Sequence, residues 1–470
     1  MKSLLHGGRN LVITCMIMAS VTDIPTDLVL KVGYSLIASG DHKALSLLAS
    51  VYTHAQRAGT GRLLFAVAKR KHWGHAIQDV IPEHLEVLLT SGGTQALNSF
   101  DVVQLCAKIG DLTKLQYALI VLQWNEARIK NANLLSTLCA HGHLQVAQWL
   151  TETFGLTKTD ARAHHNEAFT RSCSNGHLPI VQWLAARFEL TENDARCDAN
   201  AALRTSCCHG NLEVAQWLTD HFGLTAEDAR ADENYALTYS CSEGFLCVAQ
   251  WLTQHFGLTR EDARANHNLA LRRACRNGHL LIVQWLIHHF ELTREDAQNE
   301  AESSHGAFHW SCECGQLQVA QWLAVHFGLT SDDARAESNY ALRWACRNGH
   351  LHVVQWLVTH FGLEGEDARA CQSYALKYAC INGHLQLAQW ITGRFGLTRA
   401  DVRSENNLAL KCVCERGYLS VAQWIVLHFG LTLEDAQQEN KLALRRCLQY
   451  DRLDLYKWMT NHFGVSVGTS

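Results

Sequence analysis

Between Asn268 and Phe290 the apolar and polar positions are spaced for two short helices joined by a tight turn. Asn268 is placed to cap the first helix, which is expected over residues 269–276. Asn277 and Gly278 break it, with the glycine supplying the left-handed backbone that a tight turn requires. A second helix is expected over residues 280–290, with Leu280, Val283, Leu286 and Phe290 near one face and Trp285 beside them. Thr293, followed three residues later by Asp296, has the spacing of a capping box and predicts an extra helical turn in the connector.

The same unit recurs down most of the chain. The tryptophan of a Gln-Trp pair falls at Trp149, Trp183, Trp217, Trp251, Trp285, Trp322, Trp356, Trp390, Trp424 and Trp458, in steps of 34 apart from one step of 37 between Trp285 and Trp322. A fixed period of this size marks a solenoid, in which each unit buries its apolar face against its neighbours. A fainter trace extends upstream through Gly40, Gly74, Gly110 and Gly142, with Tyr117 in the place of the tryptophan, so the array begins before its strong copies do. The expected fold is all-α, an α-solenoid of roughly a dozen stacked repeats. Residues 1–22 form an N-terminal arm, 23–99 a divergent helical region and 100–470 the repeat array.

The pattern Ala-Cys-x-Asn-Gly-His-Leu-x-Val-Val/Ala-Gln-Trp-Leu, as at Ala274 to Leu286, resembles the core of the ankyrin repeat. That resemblance implies a non-enzymatic scaffold that binds a partner protein through a concave groove lined by first helices. There are departures. The family's Thr-Pro-Leu-His opening is replaced by Asn-x-Ala-Leu, and its β-hairpin finger by Phe-Gly-Leu-Thr-x-x-Asp-Ala-Arg, which reads as helical. Tetratricopeptide repeats share the period but carry different signatures and rank second. Arrays of this Gln-Trp-Leu kind also resemble ankyrin-type proteins of large DNA viruses of protists.

Composition narrows the remaining classes. With 47% hydrophobic and 18% charged residues the chain is expected to fold, and 3 prolines leave no room for Pro-rich linkers. A net charge of −4 lacks the basic field of a nonspecific nucleic-acid binder. Of 18 cysteines, nine precede the turn glycine by three residues: Cys139, Cys173, Cys207, Cys241, Cys275, Cys312, Cys346, Cys380 and Cys414. Equivalent positions in stacked helices lie about 8–10 Å apart, beyond the reach of about 7 Å that a disulfide needs. These cysteines therefore read as small, reduced core residues. With no Asn-x-Ser/Thr acceptor in the sequence, an intracellular, cytoplasmic location is expected, the host cytoplasm if the chain is viral. Residues 11–21 form an apolar run behind Lys2 and Arg9 with some signal-peptide character, although too short to span a bilayer. A packing or disordered arm is the preferred reading, with no membrane association.

Residues 24–52 begin with Ile24, Pro25, Thr26 and Asp27, a helix start, and continue with leucines at helical spacing to Tyr52. The segment resembles an F-box, which would make the protein a substrate adaptor docked on a Skp1-type adaptor of a ubiquitin ligase. The alternative is a degenerate first repeat, in keeping with the 34 residues from Gly40 to Gly74.

Several chemical readings are tempting. The tryptophans, with Phe154, Phe188, Phe222, Phe256, Phe290, Phe327, Phe361, Phe395, Phe429 and Phe463 five residues on, could be a platform for bases. They read instead as core, and truncating one internal tryptophan would then cost on the order of 3–5 kcal/mol. The turn histidines His143, His177, His279, His350 and His384 each stand alone in their repeat, so no metal site is expected and backbone hydrogen bonding is. The connector pairs Asp160/Arg162, Asp194/Arg196, Asp228/Arg230, Asp262/Arg264, Asp333/Arg335 and Asp367/Arg369 recur too often to be one active site. Helix capping and inter-repeat hydrogen bonds account for them. No catalytic residues and no cofactor are expected.

What varies between copies carries the functional reading. The two positions before each Ala-Cys pair or its equivalent are Thr170-Arg171, Arg204-Thr205, Thr238-Tyr239, Arg272-Arg273, His309-Trp310, Arg343-Trp344, Lys377-Tyr378 and Lys411-Cys412. By the family resemblance these face the groove. Arg171, Arg204, Tyr239, Arg272, Arg273, Trp310, Arg343, Trp344, Lys377, Tyr378 and Lys411 are thus the candidate contacts for a protein partner with an acidic or aromatic-accepting surface, bound by a monomer. Two alternatives remain: these long side chains shield helix faces, or the stripe binds single-stranded nucleic acid, which net acidity disfavours. The step of 37 places three extra residues between Gln298 and Gly306, either a tolerated loop or a bend that contributes to binding.

Overall fold

The computed structural model describes residues 99–298 and 306–464, and every regular element among them is a helix. The F-box-like segment 24–52, the apolar run 11–21 and the insertion before Gly306 lie outside the described residues. No helix among the described residues is long and apolar enough to cross a membrane. The described residues form two compact units, one up to Ala202 and one from Leu203 onward. The first contains the pairs Ser99–Ile109 with Leu112–Val121, Leu134–Ala140 with Leu144–Thr153, and Ala163–Ser174 with Leu178–Arg187. The earliest of these turns at Gly110 (φ +73°), as the faint upstream period implied. In the second unit the connector turn and the first helix run together across a kink, as in Arg260–Asn277 before Leu280–His289 and Ser331–Asn348 before Leu351–Phe361.

Within a repeat most expectations hold. The first helix ends at Gly278 in the left-handed conformation (φ +82°), and Ile282, Val283, Leu286, Ile287 and Phe290 of the next element are buried. The connector contributes a helical turn, Arg294–Gln298, closed by Thr293 and Asp296. All nine ladder cysteines are fully buried, and the described cysteines are free thiols. Burial raises the thiol pKa of Cys139, Cys173 and Cys241 well above the usual range.

One expectation fails. Asn268 does not cap a helix: Asn266, His267 and Asn268 form three successive left-handed residues (φ +51°, +57° and +58°) between the connector turn and the first helix. The same turn recurs at His164-His165-Asn166, Asp232-Glu233-Asn234, Glu337-Ser338-Asn339, Cys371-Gln372-Ser373 and Glu405-Asn406-Asn407. Each such residue costs roughly 1–2 kcal/mol in isolation, so the turn must be held from outside. The next repeat holds it. Asn166 donates from Nδ2 to the carbonyl of Asp194 (3.1 Å), Asn407 likewise to Asp435 (3.3 Å), and Ser373 donates to the Asp401 carboxylate (2.9 Å).

That aspartate is a hub. Asp262 accepts from the backbone N–H of Thr259 (2.7 Å) and its hydroxyl (3.1 Å), closing its own connector turn. It also accepts a two-pronged contact from Arg230 of the preceding repeat, Nε at 2.7 Å and an η nitrogen at 3.0 Å. Arg162 grips Asp194 in the same way, Arg335 grips Asp367, and Arg403 pairs with Asp435. Of the expected connector arginines, Arg162, Arg230, Arg264, Arg335 and Arg369 each reach the aspartate of the following repeat, while Arg196 pairs with Glu192 of its own connector. At the repeat whose arginine position holds Gln298, Gln298 donates to Asp333, and Arg294 reaches Asp333 as Arg260 reaches Asp296.

A second inter-repeat contact lies at the turns. Within each unit the turn glycines carry the turn side chain of the next repeat on their bare face: a Cβ on Gly349 (φ +84°) would stand 2.6 Å from the His384 ring. His384, His177 and His143 donate from Nε2 to backbone carbonyls of the repeat before, at 3.1, 3.1 and 2.8 Å. Gly362 ends a second helix at φ +62° with open space around it. Gly362→Ala should therefore cost only backbone strain, roughly 1–2 kcal/mol. Gly349→Ala adds a collision with the histidine ring and should cost at least about 1 kcal/mol more in chemical denaturation.

The hub also sets the acid limit of the fold. Burial alone would raise the Asp194 carboxyl, but the Arg162 guanidinium and the Thr191 donors outweigh it and hold its pKa at about 2 against an ordinary 3.8. Asp262, Asp367 and Asp401 are lowered by the same balance. A folded-state pKa below the unfolded one gives stability that is complete above the unfolded value and is lost as pH falls through the folded one. Thermal midpoints should thus stay level down to about pH 5 and fall steeply between about pH 4 and pH 2.

Candidate functional site

Successive first helices pack directly against each other within a unit, as Leu134–Ala140 does against Ala163–Ser174, whereas successive second helices touch far less. The first-helix row is therefore the closer-spaced side of the stack and brings its variable positions side by side. In the second unit these positions form a ladder of rings and cations. Tyr235 stacks on Tyr239 (centroids 3.9 Å apart), Tyr340 on Trp344 (5.5 Å) and Tyr374 on Tyr378 (4.0 Å). The arginines close the junctions: Arg204 lies over Tyr235 (4.8 Å), Arg273 over Tyr239 (4.5 Å), Arg276 over Trp310 (4.9 Å) and Arg343 over Tyr374 (5.0 Å). Arg347 lies between Trp344 (4.3 Å) and Tyr378 (5.3 Å). Cation–π contacts of this kind contribute about 0.5–2 kcal/mol each, depending on their exposure.

The two letters of each variable pair have different fates. The second letter is half-buried and reaches the surface at Tyr239, Arg273, Trp310, Trp344 and Tyr378, and Arg171 is exposed beside Glu167 (2.6 Å). The first letter mostly turns into the junction. Lys377 is 2% exposed and donates to Glu405 of the next repeat (2.5 Å); Arg272 is 8% exposed and bonds the Asn266 carbonyl (3.0 Å). Lys411 is buried, and Arg204 is nearly so, paired with Asp232. Arg204, Arg272, Lys377 and Lys411 are thus corrected from groove contacts to junction residues. The apolar part of a lysine or arginine packs as well as a methionine, and a carboxylate 28 residues on neutralises the head in two of these cases. Arg343 stays half-exposed, hydrogen-bonded to the carbonyls of Ser338 (2.7 Å) and Glu337 (2.9 Å).

Sequence reasoning missed Tyr235, Tyr340, Tyr374, Arg276 and Arg347. The signal was present: the tyrosines precede Tyr239, Trp344 and Tyr378 by four residues and the arginines follow Arg273 and Trp344 by three, so all share one helix face. Tyr340 is the most sheltered, with burial and its donation to Glu313 (2.7 Å) raising its phenol pKa far above the usual range.

On the second helices the tryptophans require a correction. All ten are half-buried, not core. Each ring from Trp149 to Trp424 meets an edge-on phenylalanine wherever the pair is close, as in Trp356–Phe361 (5.5 Å), and most stack on a histidine four residues on, as in Trp217–His221 (4.4 Å) and Trp356–His360 (5.2 Å). The phenylalanines are the better-buried partners, for example Phe361 and Phe395. No group of three or more His, Cys, Asp or Glu side chains among the described residues is arranged to hold a metal ion.

The comparisons with known proteins agree with this geometry. Residues 203–296 and 308–396 match the family model described as ankyrin repeats (3 copies). No curated protein matches the chain.

The junction reading of Lys377 has a direct check. Glu405→Gln leaves a buried ammonium without its counter-charge and should cost about 1–3 kcal/mol. Lys377→Met removes both the charge and the need for it, and should stay within about 1 kcal/mol of the wild type. Equal losses from the two changes would place Lys377 elsewhere.

Proposed function

Residues 203–396 are ankyrin repeats, a protein–protein interaction domain, and from that premise we propose that the chain is a non-enzymatic scaffold that binds a partner protein along its first-helix face. The observation that carries this reading is the ladder of half-exposed Tyr239, Trp310, Trp344 and Tyr378 interleaved with Arg273, Arg276, Arg343 and Arg347. Tyrosine, tryptophan and arginine dominate binding hot spots because they offer large, stiff contact areas with one polar handle. The rings are already held by neighbouring rings and cations, so little side-chain entropy is lost when a partner docks. Single-stranded nucleic acid is a poorer fit. Several cations of the stripe are consumed at junctions, and Glu313, Glu337 and Glu405, at Tyr340, His309 and Lys377, add negative charge that repels a phosphate backbone. The buried, reduced cysteine ladder fits a reducing compartment, and we place the protein in the cytoplasm on that ground.

Affinity purification with the full chain, followed by cross-linking of a recovered partner, tests the surface. Cross-links should concentrate on first helices between Arg273 and Tyr378, and Trp344→Ala combined with Tyr378→Ala should weaken capture by about tenfold or more. Cross-links on the tryptophan–histidine rows of the second helices would overturn the assignment. The same purification reports on the adaptor alternative for residues 24–52, which requires a Skp1-type adaptor among the captured proteins.

A further inference from the structure

The connector arginines of the second unit described above each face an aspartate, and the first-helix cations Arg204 and Lys377 each face an acid 28 residues on, Asp232 and Glu405. His309 has Glu337 at the same offset, 3.9 Å away. At Arg343 that position is Cys371, an exposed and uncharged residue. Among the described residues no carboxylate lies within ion-pair distance of Arg343 or of Arg347, one turn further along the same helix. Both guanidiniums converge on one ring: Arg343 lies over the face of Tyr374 at 5.0 Å, and an η nitrogen of Arg347 donates to the Tyr374 hydroxyl at 3.1 Å. Arg347 is meanwhile held between Trp344 and Tyr378. The rest of its fork makes no hydrogen bond among the described residues.

Resting on the first-helix face as the binding surface, we propose that Arg347, with Arg343 beside it, is the anion anchor for an acidic peptide segment of the partner. One carboxylate of that segment binds the Arg347 fork in two-pronged fashion, and the side chain next to it lies against Trp344 and Tyr378. A guanidinium fixed between two rings has its donors already aimed, so it gains a bidentate carboxylate at little cost in ordering. The site lacks the acid that its neighbours supply internally, so the partner supplies it. A longer polyphosphate backbone would also meet Glu313, Glu337 and Glu405, which sit at Tyr340, His309 and Lys377, and this favours a single carboxylate in a peptide over a nucleic acid.

The test uses the full chain and a phage-displayed random-peptide library. Recovered peptides should share an Asp or Glu beside an aromatic or long aliphatic residue. By fluorescence anisotropy, changing that acid to its amide should weaken binding by about tenfold or more, and Arg347→Gln should do the same. The two changes together should be no worse than either alone, because both remove one contact. Arg347→Lys should fall with Arg347→Gln, since an ammonium cannot make the two-pronged contact. Melting curves of each variant separate lost binding from lost folding. Additive losses, or peptides indifferent to Arg347→Gln yet lost in Trp344→Ala with Tyr378→Ala, would overturn the anchor and leave the binding face standing. Peptides indifferent to both sets would remove the face as well. Displacement of the peptides by oligothymidylate with a steep salt dependence would replace the peptide with nucleic acid.

Discussion

The structure depends on the connector aspartate, buried in most repeats. The connector aspartate closes its own helical turn through a backbone N–H and a hydroxyl, and receives the arginine of the repeat before. A carboxylate so placed would be costly if left unmet, because burial strips its water. Met by four donors, it ties two repeats together at fixed spacing. The same connector stabilises a backbone that should not exist alone, since the left-handed turns ending at Asn166, Ser373 and Asn407 are each clamped from the following repeat. Where glutamine stands in place of the connector arginine, Gln298 contacts Asp333 together with Arg294, which acts as Arg260 does toward Asp296. The contact is maintained although the residues making it change.

With the spacing fixed at the connectors and at the glycine–histidine turns, the first-helix face is released from holding the stack together at its surface positions. The inner letter of each variable pair still serves the junction, as Lys377 and Arg272 do, while the outer letter is open to variation. The ladder of rings and arginines is therefore both a weak inter-repeat staple and a preformed surface. The second helices are more uniform. Their half-exposed tryptophans are braced by phenylalanine and histidine of the same helix, a local arrangement that repeats with little change from copy to copy.

The helix pairs, the capping boxes, the turn glycines and the buried cysteine ladder are legible in the sequence because each is set by local chemistry repeated ten times. Three things are not. The left-handed turn carries Asn, a residue that tolerates it, mostly at its last position; His164-His165 or Cys371-Gln372 gives no hint, since the cause lies in the next repeat. The partner of each connector arginine is similarly hidden, because Asp160 and Arg162 are neighbours in sequence while Arg162 binds Asp194. The inward turn of Lys377 and Arg272 escapes a composition argument that treats every cation as surface-seeking. In contrast, the five missed ladder residues follow from helical spacing alone once one member of the face is known.

Native-state hydrogen–deuterium exchange on an Asp367→Asn variant tests the central claim most directly. The amide loses the grip of Arg335 while keeping an acceptor for its own connector turn. If the aspartate hub couples neighbouring repeats, protection should drop by about 1.5–3 kcal/mol in Ser331–Asn348 and Gly365–Ile381 while distant repeats keep theirs. Unchanged protection at that junction, or a uniform loss along the whole array, would contradict it.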